Sequence, residues 1–285
     1  MKTLTLVKTN FNHHVSMDLY YEFEKAILGR PHWETIKGVN RSQAFILRQL
    51  LKLIPSIPIP FVKHKNYVVV GYQKEKLFPY FHFKADLKVL WMYDAWEPLF
   101  TDIENTIKTY RINILFTASK QSAEHFDNLQ IPGFKCYWVP EGIDASQYLF
   151  VPYHERKIDI LQLGRKWDFL HQNILPLEKS FVYKYEKKSG QIIFPTRNDF
   201  LTGLANSKIS ICVPSNITHP NRTGNISTIT NRYLQSMASK CLIVGKAPLD
   251  MPYLFDYNPI VEIDEKNSLE QIQSVLTNFD DYIPL

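Results

Sequence analysis

Short apolar runs alternate along this chain with polar segments whose apolar residues recur at helical spacing. Runs rich in β-branched and aromatic residues predict strands in the first half at residues 4–7, 67–71, 87–93, 113–117 and 136–139. In the second half such runs predict strands at residues 158–163, 181–185, 192–194, 209–213 and 241–245. Alternation of strands and helices over this length is typical of an α/β fold with parallel sheets.

Helices are predicted where apolar residues share one helical face or where a hydroxyl residue precedes such a pattern. Ser16 and Ser119 are candidate N-caps, and residues 268–279 form a final amphipathic helix. Residues 41–54 place Phe45 and Leu50 on one face and Arg48 on the other, and the helix ends at Pro55. This helix either packs against the core or lies on an anionic membrane surface. Residues 214–225 are polar and predict a loop of a length that is often functional.

Two segments of the second half pair a strand or a helix start with basic or hydroxyl side chains. The strand at 158–163 runs into Gly164-Arg165-Lys166, and ligands of open α/β sheets collect outside the carboxyl ends of strands. Thr228 and Thr230 precede the helix that leads to residues 241–245, and a helix start binds anions through its free N–H groups. Each feature alone also fits a solvated turn or an ordinary cap. Together they predict a diphosphate ligand.

In order along the chain, VPEGIDASQY (139–148), ILQLGRKW (160–167) and TNRYLQSMASKCLIVG (230–245) resemble the C-terminal half of GT-B glycosyltransferases. The group-1-like branch typically reads P-x-G-(I/V)-D, then G-R after a strand, then R-x-x-E-x-(M/L)-A-x-G-x-x-(V/I). The resemblance implies two Rossmann-like domains facing each other across a cleft, with a nucleotide sugar held by the second. We assign an acceptor-side domain to residues 1–150 and a nucleotide-sugar domain to residues 151–285.

The resemblance also implies roles for individual residues of the second half. The basic pair after the strand contacts the diphosphate, and the Glu that usually holds the ribose corresponds to Gln235. A second Glu common in relatives corresponds to Ser227, so reaction stereochemistry is left open. Arg197 either approaches the nucleotide or is an exposed charge, and Arg232 either reaches the phosphates or faces solvent. The predicted donor site comprises Arg165, Lys166, Arg197, Thr228, Thr230, Asn231, Arg232 and Gln235.

Three residues of the first half are candidates for contact with the acceptor. Asp94 follows directly on an apolar strand, so its carboxylate should lie at the strand's end, where a general base would be needed. Glu97 is the second candidate, and the alternative is that Asp94 and Glu97 form a helical capping box. His14, in the loop after the first strand, either touches an acceptor sugar or belongs to a surface histidine pair with His13.

Composition and charge exclude some functional classes for this chain. Hydrophobic residues make up 45% of the 285, which predicts real cores rather than disorder. The net charge of +5 is spread over both halves, which argues against a nucleic-acid partner. Three cysteines in apolar runs predict buried free thiols in a reducing compartment. Neither a signal peptide nor a membrane span is predicted, so we expect a cytoplasmic protein, with the inner membrane face as an option.

The leading hypothesis is a metal-independent hexosyltransferase of polysaccharide biosynthesis. Its donor is a nucleotide diphosphate sugar, which serves as a substrate and not as a cofactor, and its acceptor is a glycan, a lipid-linked saccharide or a small molecule. No D-x-D pair, which would suggest a metal, is present in the sequence. A non-catalytic nucleotide- or glycan-binding protein is the first alternative. A basic surface protein that binds nucleic acid or membrane through residues 41–65 is the second.

Overall fold

The chain divides into two compact units, Met1–Glu141 and Gly142–Leu285. The computed structural model describes residues 3–8, 18–38, 41–52, 66–71, 85–164, 166–188 and 190–282. The division falls earlier in the chain than the boundary predicted after residue 150. Each unit is described separately below.

The described part of the first unit contains six parallel strands in the order β2-β1-β3-β4-β5-β6. The strands are β1 (Leu4–Lys8), β2 (Trp33–Lys37), β3 (Asn66–Gly71), β4 (Lys88–Met92), β5 (Ile114–Thr117) and β6 (Lys135–Trp138). The helices are α1 (Asp18–Leu28), α2 (Arg41–Lys52), α3 (Phe100–Tyr110) and α4 (Lys120–Asn128). All five strands predicted in this half are confirmed, whereas β2 and α3 were not predicted.

The first sheet is covered on both faces. Val7 and Leu90 pack with Ile107 of α3 and Phe126 of α4, whereas their neighbours Leu6 and Val89 pack on the other side with Tyr20 of α1. Successive residues of a strand point to opposite faces, so a strand buried on both sides reads as a continuous apolar run. This is why the predicted strands were visible in the sequence.

Two environments were predicted for helix α2, a packed face against the core or an anionic membrane surface, and the structure does not select between them. Its described apolar side chains include Phe45, Ile46 and Leu50, and each is exposed by more than half. The side chains of Leu47, Arg48, Leu51 and Lys52 lie outside the described residues, as does Ile54. The described part of α2 therefore does not show the packed face that the first alternative requires.

The second unit, like the first, has a parallel sheet that is covered on both faces. Its described residues form five parallel strands in the order β11-β10-β9-β7-β8. These are β7 (Ile158–Gln162), β8 (Tyr183–Tyr185), β9 (Ser207–Cys212), β10 (Leu242–Gly245) and β11 (Ile260–Glu262). The helices are α5 (Asp168–Ile174), α6 (Arg197–Ala205), α7 (Ser215–Thr218), α8 (Pro220–Thr223), α9 (Asn231–Ala238) and α10 (Ser268–Thr277). Leu170 and Ile272 cover one face, and Leu204 and Tyr233 cover the other.

Two predictions for the second half are wrong. Residues 192–194 form no strand: Ile192 is exposed, and Phe194 is buried against Gly203 of α6. The segment 214–225 is not an unstructured loop, because it contains α7 and α8. Cys136, Cys212 and Cys241 are buried free thiols, as predicted.

Gly245 allows β10 and β9 to approach closely. A Cβ at this position would lie 1.8 Å from the carbonyl oxygen of Cys212, which is a backbone atom of the paired strand and cannot move aside. We therefore expect Gly245→Ala to lower the free energy of unfolding by about 1–3 kcal/mol. Urea denaturation would measure the loss. Gly142→Ala, where a Cβ would meet nothing within 4 Å, is the control and should change little; equal losses in both would contradict the argument.

Candidate functional site

The strand order of the second unit has a topological switch point between β7 and β9. The chain passes from β7 to β8 on one side and then returns to β9 on the other side of β7. Such a reversal of strand order separates the loops that follow the two strands, and this is where ligands bind in open α/β sheets. The segments at this edge include Leu163 and Gly164, Lys166, residues 213–218 and the start of α9.

The basic turn after β7 begins with Gly164, whose φ of 74° is a conformation that glycine adopts readily. Arg165 lies outside the described residues. The Lys166 ammonium donates a hydrogen bond to the carbonyl oxygen of Glu186 at 2.9 Å and lies 5.3 Å from the centre of the Tyr185 ring. An ammonium carries three donors, so contacts with the end of β8 orient Lys166 and leave donors for an anion.

A buried hydrogen-bond network connects β7 and β8 next to this turn. The Tyr183 hydroxyl donates to Oε1 of Gln162, and Nδ1 of His171 lies 2.8 Å from the same hydroxyl oxygen. Burial, and secondarily the charge of Lys166, lowers the pKa of His171. Because the hydroxyl has one hydrogen and gives it to Gln162, the neutral imidazole must donate its Nδ1–H to Tyr183. The network therefore fixes the ends of β7 and β8 without adding a charge.

At the start of α9, the preceding residues bond to Asp250, and the N-cap residue provides no side-chain cap. The Thr228 hydroxyl donates to the carboxylate of Asp250, and the Ile229 N–H donates to the same carboxylate at 2.7 Å. Thr230 is the N-cap, but its side chain makes no capping hydrogen bond. The Thr228 hydroxyl hydrogen is thus already used within the protein. The first N–H groups of α9 lack a capping bond from the N-cap side chain.

Arg232 and Gln235 carry the least satisfied polar atoms near this helix start. Nη1 of Arg232 and Oε1 of Gln235 are buried and have no hydrogen-bond partner among the described residues. Burial lowers the pKa of Arg232. The two residues are three apart on α9, so their side chains share a face. Each unpaired buried group costs about 1–3 kcal/mol, and a charged one costs more. A ligand that supplies an acceptor to Arg232 and a donor to Gln235 would remove this cost.

The guanidinium groups of Arg197 and Arg232 both lie near the ring of Phe200. The Phe200 ring centre is 5.8 Å from the Arg197 guanidinium and 5.5 Å from that of Arg232. Nη2 of Arg197 also donates to Oε1 of Gln147 at 3.3 Å. Thr196 and Asp199 form a capping box at the start of α6, so Arg197 is the first residue of a helix and not part of a loop. The structure therefore brings two of the predicted cations together near the Phe200 ring, which the sequence patterns did not indicate.

Asn216 is a polar residue of this edge that sequence reasoning missed. It belongs to α7, directly after β9, and its Oδ1 is buried without a partner within the described part of the chain. Its position directly after a strand at the switch point is the sequence signal that could have identified it. Asn231 lies at the first position of α9 and is partly exposed.

Comparison with known proteins adds a fold-level likeness. No protein-family profile matches the chain, and no curated protein matches it. A crystal structure of Anabaena HepE in complex with UDP and glucose is 11% identical, with a TM-score of 0.55 over 99% of this chain and 92% of that one. A HepE complex with UDP-glucose gives 11% identity and a TM-score of 0.51 over 99% and 92% of the two chains. The chain has the GT-B fold. A co-structure of S. aureus MnaA with UDP is also 11% identical, over 98% and 89% of the two chains, at a TM-score of 0.48.

The first unit of this GT-B chain contains Asp94 directly after β4, at the carboxyl end of the strand. Asp94 is half-buried, whereas Tyr93 and Ala95 on either side are fully buried. A short 3₁₀ helix begins at Glu97 with Trp96 as its N-cap and no side-chain cap, so the capping-box alternative for Asp94 and Glu97 is wrong. Glu97 is exposed. His14 and His13 lie outside the described residues.

Within the described ranges, no group of three or more His, Cys, Asp or Glu side chains is placed to hold a metal ion. No helix in the same ranges combines the length and apolar character needed to cross a membrane.

Proposed function

We propose that this protein is a glycosyltransferase that moves a hexose-type sugar from a nucleotide diphosphate sugar to an acceptor hydroxyl. The acceptor is a glycan, a lipid-linked saccharide or a small molecule. The observation that carries the proposal is the pair of buried polar atoms without partners, Nη1 of Arg232 and Oε1 of Gln235, on the helix that starts at the switch-point edge. The HepE complexes, which contain UDP, glucose or UDP-glucose on the same fold, support a sugar nucleotide as the ligand.

A nucleoside diphosphate matches the chemistry of this edge. A ribose hydroxyl would donate to Oε1 of Gln235, while phosphate oxygens would accept from Arg232 and Lys166. When the bond between the sugar's anomeric carbon and the diphosphate breaks, negative charge grows on the departing oxygen. Cations already in place stabilise that charge, which lowers the barrier. Because these side chains supply the charge compensation, the proposal includes no metal.

On the acceptor side, we assign the general base to Asp94. A bond forms between the acceptor oxygen and the anomeric carbon, and the hydroxyl proton moves to the Asp94 carboxylate. The buried residues on both sides of Asp94 hold the carboxylate on a fixed stretch of backbone. Glu97, exposed on the following 3₁₀ turn, is the second candidate for this role.

Thermal unfolding with a panel of nucleotides tests the donor site. We expect one nucleoside diphosphate, with UDP as the first choice, to raise the melting temperature, because a ligand that binds only the folded state stabilises it by mass action. At a concentration 100 times the Kd, the gain is about 2.7 kcal/mol. The matching nucleoside without phosphates is the control and should shift the transition much less. A panel in which no nucleoside diphosphate shifts the transition would contradict the proposal.

A second candidate is a non-catalytic protein that binds a nucleotide or a glycan with the same fold. It is favoured by Ser227, which stands where many related glycosyltransferases have a Glu. Its side chain is buried and accepts a hydrogen bond from the Leu249 N–H at 3.2 Å, so it has a structural role. This candidate predicts the same nucleotide shift without release of nucleoside diphosphate from the sugar nucleotide, which a coupled assay with acceptors would distinguish.

A further inference from the structure

The second unit contains a cavity of about 610 Å³ at the end of its sheet opposite the switch-point edge. Its walls include Leu242 and Ile260, the first residues of β10 and β11, so the cavity opens at the amino ends of these strands. The candidate donor site lies at the carboxyl ends. The aromatic members of the lining are Phe150, Tyr153, Tyr257, Phe279 and Tyr282. Volumes of about 300–1,000 Å³ are typical of ligand pockets.

Arg156 holds together two segments that contribute to the lining of this cavity. Its guanidinium is buried and donates hydrogen bonds to the carbonyl oxygens of Val151, Ser207, Ser239 and Lys240. It also lies 4.3 Å from the centre of the Tyr153 ring. One side chain thus ties the aromatic segment at 150–153 to the turn between α9 and β10. A site held in this way binds without first being ordered, which favours affinity.

Lys240, the charged residue of the lining, occupies a backbone conformation that suits glycine. It follows the C-cap of α9 with a φ of 52°, and its N–H donates to the carbonyl oxygen of Met237 at 2.9 Å. Glycine is the usual residue at this helix end because a Cβ is unfavourable there. A lysine at this position therefore carries a backbone cost that glycine would not.

The Lys240 side chain is positioned to meet an anion within the aromatic cavity. Its ammonium lies 4.4 Å from the centre of the Phe150 ring, the residue is exposed, and the described residues offer it no ion pair. The lining contains no Asp or Glu. The cavity therefore combines aromatic faces, tyrosine hydroxyls, the amide of Asn258 and one uncompensated positive charge.

We propose that this cavity binds an acidic saccharide. The apolar C–H faces of pyranose rings would pack on the aromatic rings, and sugar hydroxyls would bond to the tyrosine hydroxyls and Asn258. A carboxylate or phosphate group on the sugar would pair with Lys240. A neutral apolar ligand would leave both the lysine and these polar groups without a role. The choice of a saccharide rests on the proposed function, whereas the anion-binding cavity does not.

The test uses the full chain and a hexamer of galacturonic acid, with the fully methyl-esterified hexamer as a neutral match. We expect calorimetry to detect the acidic hexamer and to show binding of the ester at least about tenfold weaker, because a charge-assisted hydrogen bond is lost. Absence of binding by the acidic hexamer, or equal binding of the two, would overturn the proposal. Nucleotide shifts measured on the same samples test the donor site separately.

Lys240→Gly separates function from stability. It removes the strained Cβ, so we expect the melting temperature to rise by about 2–4 °C while affinity for the acidic hexamer falls at least about tenfold. Gln130→Gly, at another exposed residue with a φ of 49°, is the matched control and should raise stability without changing saccharide binding. Lys240→Met removes the charge and keeps the backbone strain, so it should lose affinity without gaining stability. Unchanged saccharide affinity in both Lys240 variants would refute the role of Lys240.

Discussion

Replacing Asp94 with Asn should lower the turnover of sugar transfer by about 10²- to 10⁴-fold, the usual contribution of a general base. Asparagine has nearly the same shape but cannot accept the proton that the acceptor hydroxyl loses. The melting-temperature shift caused by the nucleoside diphosphate should not change, because Asp94 belongs to the first unit and the predicted donor residues belong to the second. Initial rates of nucleoside diphosphate release, measured at saturating donor, would quantify the loss.

The geometry around Asp94 makes this a sharp test. Tyr93, Ala95 and Trp96 are buried, and the Ser122 hydroxyl donates to the Ala95 carbonyl oxygen at 2.7 Å. These contacts hold the backbone next to Asp94, and asparagine keeps the shape of the side chain, so we expect the variant to fold. Asp102→Asn, which removes an exposed carboxylate from the first turn of α3, controls for the change in charge. Equal rates in the wild type and Asp94→Asn would show that Asp94 is not the base.

The positions of most strands along the chain were predictable, because strands of parallel sheets covered on both faces form continuous apolar runs in the sequence. Strand β4 is a continuous apolar run apart from Lys88, and β10 is apolar throughout. Strand β2 was missed because Trp33–Lys37 carries Glu34, Thr35 and Lys37 among its five residues. The false strand at 192–194 shows the opposite error. Its apolar residues are explained by tertiary contact, since Phe194 packs where Gly203 leaves room on α6.

The candidate site was predictable in position but not in the pairing of its side chains. The basic turn and the start of α9 lie at the switch-point edge because the strand order places them there. The sequence did not indicate that Thr228 bonds to Asp250, a residue 22 positions away. It also did not show that Lys240 adopts a glycine-like backbone angle. Such pairings depend on which distant segments meet, and local residue patterns carry no record of that.

Buried polar atoms without partners are the strongest addition that the structure makes to the donor site. The sequence allowed two positions for the Arg232 side chain, in contact with the phosphates or facing solvent. Its Nη1 is buried, which excludes a fully solvated side chain, and no described residue accepts from it. Gln235 stands at the Glu position of the motif that this helix resembles, and its unpaired Oε1 can still accept from a hydroxyl. The substitution of Gln for Glu therefore preserves the acceptor but removes a negative charge next to the guanidinium.

Replacing Arg232 with Met should weaken nucleoside diphosphate binding by about 10- to 150-fold, because a hydrogen bond to a charged group contributes about 1.5–3 kcal/mol. The same change should leave the stability of the ligand-free protein unchanged or raise it by about 1 kcal/mol, since an unpaired buried cation is replaced by an apolar side chain. Met can retain the contact with the Phe200 ring, which lies 5.5 Å from the guanidinium. Calorimetric titration with UDP and urea denaturation without ligand measure the two effects.

The opposite signs of these two effects distinguish a ligand contact from a structural role for Arg232. A guanidinium that only held the fold together would lose stability and affinity together on replacement. Arg222→Met, an exposed arginine on α8, removes the same charge and should change neither quantity by much. If Arg232→Met binds UDP as tightly as the wild type, the guanidinium does not face the diphosphate, and the unpaired Oε1 of Gln235 would then be the remaining described contact for the nucleotide on α9.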